Sequence, residues 1–373
     1  MTLRWLALGL ALASLSCSEP PAPGPRAAPV PQSEALASAV PPNRCAEGVA
    51  SLPSPFLAGM SLAHNYQGNG RRGYGSETSR ETMDTLVTLG VRELSLTPFG
   101  FMRSTHASDV TLATDHPAGE TDARMEAAIR DAHARGLAVF LKPHVWISGG
   151  AWRGEIEPAL GWEAFFTSYS RFVLHYARMA ARLEVERFAV GVEIPSAATS
   201  EWRALIRAVR AVYSGQITYA ANWDAVDRVA FWSDVDFIGV QFYPSLAEAR
   251  GADEASMQRA LEGQLDALGA LSRRVERPVL LTEVGYKSIE DTELRPHQWP
   301  ERHGAPVPSE AAQARAYRRL FNAVAARPFV RGLYLWKWFT DPDTHEEGAD
   351  GFSPRGKQAE AILRAAFASG CRG

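Results

Sequence analysis

Two glutamates are the residues of this sequence whose type and position most clearly suggest chemistry. Each ends a strongly apolar run, Glu193 after residues 188–192 and Glu283 after residues 278–282. An unpaired buried carboxylate is costly, so each position needs a reason, and a structural ion pair is the simplest one for a single glutamate. Two such carboxylates together can cleave a glycosidic bond, because one protonates the departing oxygen while the other attacks or stabilises the anomeric carbon.

These carboxylates meet only if the fold brings the ends of two apolar runs together, and the pattern of the chain predicts such a fold. From residue 55 onward, short apolar runs alternate with stretches of helical spacing. The runs are apolar almost throughout, which is typical of parallel strands buried on both faces. Eight of them are found, at residues 56–61, 91–97, 137–143, 187–193, 216–222, 235–243, 278–284 and 332–338.

Helices are predicted between these strands, with Ser200 as the N-cap of the fourth, at residues 77–89, 122–135, 162–183, 202–213, 254–275, 309–326 and 356–367. Only the connection between the fifth and sixth strands is thin, since residues 225–232 allow about two turns. Eight strand–helix units favour an α/β fold with a single (β/α)8 TIM barrel. A doubly wound open sheet is the alternative, but the sequence has no phosphate-binding loop of the G-x-x-x-x-G-K-[ST] type.

In a barrel of this kind the active site lies at the C-terminal ends of the strands. Glu193 closes the fourth strand and Glu283 the seventh, and these two strands face each other across the barrel. Inward-pointing glutamates there approach to about 5–5.5 Å, the separation that suits a retaining, double-displacement mechanism. Other strand ends carry Trp, Tyr, Asn and His, which favours a catalytic pair over two separate ion pairs.

Several motifs in order make residues 55–367 resemble glycoside hydrolase family 113, a clan A family whose characterised members are β-1,4-mannanases. Glutamates at the ends of strands four and seven are the hallmark of that clan. The more specific stretches are Leu-Lys-Pro-His-Val (141–145), Trp-Arg-Gly-Glu (152–155), Val-Gly-Val-Glu (190–193), Tyr-Ala-Ala-Asn-Trp-Asp (219–224), Phe-Ile-Gly-Val-Gln-Phe-Tyr-Pro (237–244), Thr-Glu-Val-Gly-Tyr (282–286) and Gly-Phe-Ser-Pro-Arg-Gly-Lys (351–357).

This resemblance implies that Glu193 is the general acid/base and Glu283 the nucleophile of a retaining glycoside hydrolase. The implied substrate is β-1,4-mannan or a related β-linked polysaccharide, and no cofactor or metal is expected. The physical expectation agrees, because an acid/base needs a raised pKa and a nearby ionised carboxylate raises it.

Five further side chains at the strand ends are expected to contact the nucleophile or the substrate, with simple packing as the alternative for each. Tyr243 is placed to donate its hydroxyl to the nucleophile, and Asn222 to bond a sugar hydroxyl. Trp336 is expected to form a platform under the sugar, because an indole offers a flat apolar surface to the C–H face of a sugar ring. His144 and Trp146 are expected to line the groove.

One position departs from the pattern of the resembled clan. Many clan A enzymes have Asn directly before the acid/base, where its amide binds the 2-hydroxyl of the substrate, and family 113 members tend to have a small polar residue. This chain has Val192, whose side chain cannot hydrogen-bond. Asn222 or another donor then takes that role, or catalysis is weaker, or the substrate differs. Pro195 is expected to reshape the loop that carries the acid.

Two other functions stay open: a non-catalytic carbohydrate-binding lipoprotein, and a hydrolase of another glycan such as one of the bacterial envelope or capsule. Two loops, 286–308 and 340–354, are expected to shape the groove. The acids of the second loop are predicted to be solvated rather than to bind calcium, because their spacing is not that of an EF-hand. A net charge of −3 gives no reason to expect a nucleic-acid partner, and a monomer is expected.

The N-terminus has the pattern of a processing signal. Arg4 precedes an apolar run at 5–15 that is too short to span a bilayer, and Cys17 follows. This resembles a bacterial lipoprotein signal, with ordinary secretion as the rival. The predicted division is a signal peptide at 1–17 with Cys17 lipidated, a disordered Pro/Ala-rich linker at 18–50, and the barrel at 51–373. The expected location is extracytoplasmic, either anchored by that lipid at the outer membrane or cell surface, or secreted.

Two further cysteines flank the predicted barrel. In an oxidising compartment, Cys45 and Cys371 are candidates for a disulfide, because a closed barrel brings its two ends together. Two free thiols are the alternative.

Overall fold

The computed structural model describes residues 48–368 except 113, 117, 299–305 and 345–346. These residues make up most of a compact unit that spans residues 44–373. The signal peptide with Cys17, nearly all of the linker, and the pair Cys45 and Cys371 lie outside the described residues. Lipidation, the disulfide and the boundaries at 17 and 50 therefore stay predictions. No helix within the described part of the chain is long and apolar enough to cross a membrane.

Eleven strands form within the described residues. They are β1 (Leu57–Ala63), β2 (Glu93–Leu96), β3 (Phe99–Met102), β4 (Thr111–Leu112), β5 (Ala138–Leu141), β6 (His144–Ile147), β7 (Arg187–Val192), β8 (Gln216–Asn222), β9 (Phe237–Gln241), β10 (Val279–Val284) and β11 (Val330–Phe339). Eight of them pair in parallel and close into a barrel in the order β1-β11-β10-β9-β8-β7-β5-β2. The predicted (β/α)8 barrel is confirmed, and each predicted strand overlaps one barrel strand.

Seven α-helices surround the barrel in the described residues. They are α1 (Glu77–Thr88), α2 (Asp122–His133), α3 (Gly161–Arg182), α4 (Thr199–Arg210), α5 (Glu254–Val275), α6 (Glu310–Ala325) and α7 (Gln358–Phe367). Between β8 and β9, where every residue is described, two short 3-10 helices connect the strands, as the thin pattern there predicted.

The predicted N-cap of the fourth helix is wrong. Ala198 holds the cap position of α4, and Ser200 lies inside its first turn. The hydroxyl of Ser200 donates to the neighbouring Glu201 instead of accepting from the helix backbone.

A second, small sheet was not predicted. It has the order β4-β3-β6, with β3 and β6 parallel and β4 antiparallel to β3. Pro98 and Pro143 lie two residues after the last residues of β2 and β5, and proline has no N–H to continue a ladder. Each of these two barrel strands therefore ends shortly before a proline, and the chain continues as a strand of the small sheet, above the C-terminal end of the barrel.

The middle of the barrel is packed with apolar side chains. Side chains that fill it are Phe140, Ala189, Val192, Ala220, Phe237, Leu280 and Tyr334, each at most 7% exposed. At the N-terminal end, Arg187 Nη1 donates to both carboxylate oxygens of Glu93 at 2.7 Å. Glu93 is fully buried, and burial raises its pKa although Arg187 opposes the shift. This ion pair lies at the opposite end of the barrel from Glu193 and Glu283.

Replacing Arg187 by methionine is expected to destabilise the fold by about 3–5 kcal/mol, because the carboxylate of Glu93 would be left buried without its cation. Chemical denaturation measures the loss. A folded-state pKa above the unfolded value costs stability as pH rises, so the deficit should shrink in acid. The matched control is the double variant Arg187→Met with Glu93→Gln, which should recover much of the loss. A single variant as stable as the native chain would contradict a structural role for this pair.

Candidate active site

Glu283 lies near the end of β10 and is held by three donors from three other residues. Its carboxylate Oε2 accepts from Lys142 Nζ and Gln241 Nε2, both at 2.7 Å. The other oxygen, Oε1, accepts from the hydroxyl of Tyr243 at 2.8 Å. The Tyr243 contact is the one that the sequence analysis placed there. With 10% of its side chain exposed, Glu283 is fixed in orientation while still open to the groove.

The orientation of the Gln241 amide is itself determined by its neighbours. Its Oε1 accepts from Thr282 Oγ1 at 3.0 Å and lies 3.4 Å from Lys142 Nζ. Because the oxygen of the amide faces these two donors, its N–H2 group faces Glu283. The barrel thus supplies a preformed set of donors that favours the ionised form of that carboxylate.

The pKa of Glu283 is the outcome of opposing effects. Burial is the largest and raises the pKa, but the Lys142 ammonium and the hydrogen bonds from Lys142, Gln241 and Tyr243 outweigh it. The net pKa lies below the ordinary value for a glutamate. Glu283 is therefore ionised at neutral pH, as a carboxylate nucleophile must be.

Glu193 directly follows β7 and has an unusual backbone. Its φ of 54° lies in the left-handed region, and the pairing of β7 with β8 shifts register just before it. A residue other than glycine is held there at a cost of about 1–3 kcal/mol, and such residues cluster at active sites. Its carboxylate Oε2 lies 3.4 Å from both Arg153 Nη1 and Trp152 Nε1. The side chain is 13% exposed.

Burial is the largest influence on Glu193 and raises its pKa. The charge of Glu283 adds to the increase, whereas Arg153, Trp152 and Lys142 oppose it without cancelling it. The two glutamates thus have pKa values shifted in opposite directions within one site. A pair of that kind assigns the group with the raised pKa as the acid and the other as the nucleophile or stabilising anion.

Lys142 contacts Glu283 and was not among the site residues that the sequence analysis predicted. It follows β5, is completely buried, and reaches across the barrel to Glu283 and to the backbone oxygen of Thr282 at 3.1 Å. The signal was present, because a lysine at the end of the apolar run 137–141 is as costly to bury as a glutamate. Because a buried cation is costly for the same reason as a buried carboxylate, Lys142 could have been recognised as a candidate from the sequence.

The residues predicted to contact the sugar near the cleavage point lie at the ends of strands beside the two glutamates. Asn222 ends β8, between β7 and β9, and donates through Nδ2 to Asp224 at 2.7 Å. Its buried Oδ1 has no hydrogen-bond partner among the described residues. Trp336 lies in β11, half-buried, with its backbone oxygen against Gly285. A Cβ at that glycine would lie 2.4 Å from this oxygen, so the close approach of β11 to the segment after Glu283 requires glycine.

His144 and Trp146 both lie in β6 of the small sheet. Nδ1 of His144 lies 3.3 Å from Arg153 Nη1, and its buried Nε2 has no partner in the described part of the chain. Burial, then the charges of Arg153 and Lys142, lower the pKa of His144 well below its ordinary value, so the ring is neutral. Trp146 is 49% exposed.

Val192 points into the barrel interior and is 1% exposed. The residue before Glu193 therefore packs against apolar neighbours and offers no side-chain hydrogen bond to a substrate. Asn222 ends the neighbouring strand β8, and its side-chain oxygen Oδ1 has no hydrogen-bond partner among the described residues.

The loop after β10 (286–308) makes an aromatic contact beside the site, whereas the loop after β11 (340–354) forms ion pairs. In the first, the ring of His297 packs against Trp223 at 5.0 Å, next to Asn222, and Trp299 lies outside the described residues. In the second, Asp341 and Asp343 pair with Arg72, and Glu347 pairs with Lys337. Asp341 and Glu347 are buried and paired with cations of the protein, which differs from the predicted solvated loop, whereas Asp343 is paired but exposed to solvent.

A family model and several solved structures match this chain. The model of Glycoside Hydrolase Family 113 matches residues 63–357. A solved family 113 β-1,4-mannanase is 25% identical, with a TM-score of 0.72 over 84% of this chain and 98% of that one. The family 113 β-mannanase of Alicyclobacillus acidocaldarius, solved in complex with ManMIm, is 27% identical, with a TM-score of 0.73 over 84% and 97%. No curated protein sequence matches the chain.

Proposed function

This chain belongs to glycoside hydrolase family 113 and is a glycoside hydrolase, and on that premise we propose that it cleaves β-1,4-mannan or a related β-linked polysaccharide with retention of configuration. Glu193 is the acid/base and Glu283 the nucleophile. The observation that carries the proposal is the opposite shift of two pKa values at the same end of the barrel, upward for Glu193 after β7 and downward for Glu283 in β10.

In the first step, protonated Glu193 donates its proton to the glycosidic oxygen while Glu283 attacks the anomeric carbon. The bond between that carbon and the oxygen breaks, the leaving sugar departs as an alcohol, and Glu283 holds the remaining sugar as an ester. Donors from Lys142, Gln241 and Tyr243 keep Glu283 ionised and aimed before the attack.

In the second step, Glu193 is a carboxylate and takes a proton from water, whose oxygen attacks the anomeric carbon and displaces Glu283. The pKa of Glu193 suits this exchange of roles. While Glu283 is ionised its charge raises the pKa of Glu193, and that contribution vanishes once Glu283 is an ester. The acid of the first step thereby becomes the base of the second.

The choice of mannan is supported by the relatives rather than by the site alone. The two family 113 structures compared above are described as a β-1,4-mannanase and a β-mannanase. The platform of Trp336 and the free acceptor of Asn222 are compatible with a sugar between the two carboxylates.

Hydrolysis of a glycan panel by the purified protein tests the proposal. We expect reducing sugar from β-mannan and glucomannan in preference to xylan, β-glucan and cellulose. Proton NMR of the first product should show the β-anomer before mutarotation, because two inversions restore the configuration. The α-anomer appearing first would rule out the double displacement. Release from none of these polymers would favour a different envelope glycan or a binding-only protein.

A further inference from the structure

Lys287 is a buried lysine that takes no part in the two chemical steps. It lies in the loop after β10, shortly beyond Glu283, and none of its surface is exposed. A buried cation is costly unless hydrogen bonds replace its water. The ammonium of Lys287 has three donors, and it donates to the backbone oxygens of Arg295 at 3.2 Å, Pro296 at 3.0 Å and Gln298. The loop therefore folds around the ammonium and satisfies it.

The same ammonium faces an aromatic ring from a second loop. Its Nζ lies 5.0 Å from the centroid of the Phe352 ring. The face of an aromatic ring attracts a cation, and more strongly where water is excluded. Phe352 is 4% exposed and belongs to the Gly-Phe-Ser-Pro-Arg-Gly-Lys stretch (351–357). This contact joins the loop after β10 to the loop after β11.

Hydrogen bonds fix the backbone of Phe352 beside this ammonium. Its N–H donates to Glu347 Oε2 at 2.8 Å, and its carbonyl oxygen accepts from Gln313 Nε2 at 2.9 Å. The buried amide of Gln313, in α6, also donates to the backbone oxygen of Tyr286 at 2.9 Å and accepts from Ser288 Oγ at 3.3 Å. One amide thus ties the residues on both sides of the lysine to Phe352, and the ring and the ammonium are held in register.

The Phe352 ring packs against Tyr243, whose hydroxyl donates to Glu283 Oε1 at 2.8 Å. The two ring centroids are 6.4 Å apart and the ring planes meet at 76°, which is a favourable edge-to-face arrangement. Phe352 also lies against the backbone just after β10, because a Cβ at Gly285 would be 3.2 Å from its Cδ1. Both rings are buried, so a shift of one displaces the other.

We propose that Lys287 is a positioning residue for the catalytic centre. Its ammonium holds Phe352 against Tyr243, and Phe352 in turn keeps the Tyr243 hydroxyl directed at Glu283. The proposal rests on the function proposed above, in which Glu283 is the nucleophile. Lys287 acts through two aromatic rings rather than through its own charge, because a hydrogen bond weakens steeply when its donor is displaced or tilted.

This role predicts a change in the pH dependence of the enzyme. The hydrogen bond from Tyr243 lowers the pKa of Glu283 and so opposes the effect of burial. When that bond is weakened, the pKa of Glu283 rises and a larger fraction of the nucleophile is protonated. The acid limb of kcat/KM then moves to higher pH. Loss of Lys287 should reproduce the loss of the Tyr243 hydroxyl in weaker form.

The experiment measures kcat/KM against pH on an aryl β-mannoside for native enzyme, Lys287→Met, Tyr243→Phe and the double variant. Tyr243→Phe is expected to lower kcat/KM at neutral pH by about tenfold, the effect of one lost hydrogen bond to a charged group, and to move the acid limb upward. Lys287→Met should move both in the same direction. In the Tyr243→Phe background it should add less than about twofold, because residues that act through one contact are not additive.

Two further variants separate this role from others. Phe352→Leu keeps the ammonium and its three carbonyls but removes the ring, so it should shift the acid limb as Lys287→Met does. A direct effect of the Lys287 charge on Glu283 would leave Phe352→Leu unshifted. Arg187→Met weakens the fold at the opposite end of the barrel, so it should leave the acid limb in place. It controls for a general loss of stability.

Additive effects of Lys287→Met and Tyr243→Phe, or an unmoved acid limb in Phe352→Leu, would overturn the positioning role while leaving the proposed function intact. If Lys287→Met does not fold, the cycle of Phe352→Leu with Tyr243→Phe decides instead. Non-additive losses support the role, whereas additive or absent losses overturn it. Native enzyme that turns over neither the aryl mannoside nor mannan would remove the proposed function and this role with it.

Discussion

Glu283→Ala is expected to reduce kcat on mannan by about 10⁴-fold or more, since no other group can form the covalent intermediate. The structure gives a reason to pair it with Glu283→Gln. Alanine leaves the ammonium of Lys142 buried without its 2.7 Å carboxylate partner, which is destabilising in its own right. Glutamine keeps the shape and removes only the nucleophilic charge. Both variants should be inactive, and denaturation curves separate any loss of folding from the loss of chemistry.

Glu193→Ala should differ in its kinetics from both Glu283→Ala and Glu283→Gln. Protonation of the departing oxygen matters most for a poor leaving group, so activity on mannan should fall by about 10²–10⁴-fold while activated aryl mannosides lose much less in the glycosylation step. The native enzyme should lose activity at high pH as Glu193 ionises, and this alkaline limb should disappear in Glu193→Ala. Equal and mild losses in the variants at the two positions would contradict the assignment of a catalytic pair.

The framework of the site could be predicted because a parallel barrel leaves a simple signature. Its strands are covered by helices outside and packed side chains inside, so the strand before Glu283 is apolar at nearly every position, from Val279 to Leu281. A carboxylate that ends such a strand stands out from its neighbours. Both glutamates, and the strand end that brings Tyr243 to Glu283, follow from this contrast.

The parts that were missed depend on contacts between segments distant in sequence. The runs at β3 and β6 are four residues each, too short for periodicity to identify, and their pairing depends on β2 and β5 being neighbours in the barrel. The error at Ser200 is local, since its hydroxyl finds Glu201 before it can accept from the helix backbone. Lys142 itself could have been singled out from the sequence, but its contact with Glu283 could not, because the two residues are 141 positions apart in the chain.

Lys142→Met is expected to lower kcat/KM at neutral pH by about a hundredfold, the scale of loss when a catalytic group is left misaligned. The ammonium both counters the effect of burial on Glu283 and fixes the direction of its Oε2. Methionine fills similar volume without charge. Burial then acts on Glu283 with less opposition, so its pKa rises and a larger fraction of the nucleophile is protonated and inactive.

The pH dependence distinguishes this role from a merely structural one. The acid limb of kcat/KM follows ionisation of Glu283 and should move to higher pH in Lys142→Met. Lys142 also lowers the pKa of Glu193, so the alkaline limb should move in the same direction. Lys142→Arg keeps the charge and should lose activity through geometry while the acid limb stays near its native position. If Lys142→Met instead lost activity with both limbs unmoved, the lysine would serve packing alone, and the ionisation of Glu283 would depend on Gln241 and Tyr243.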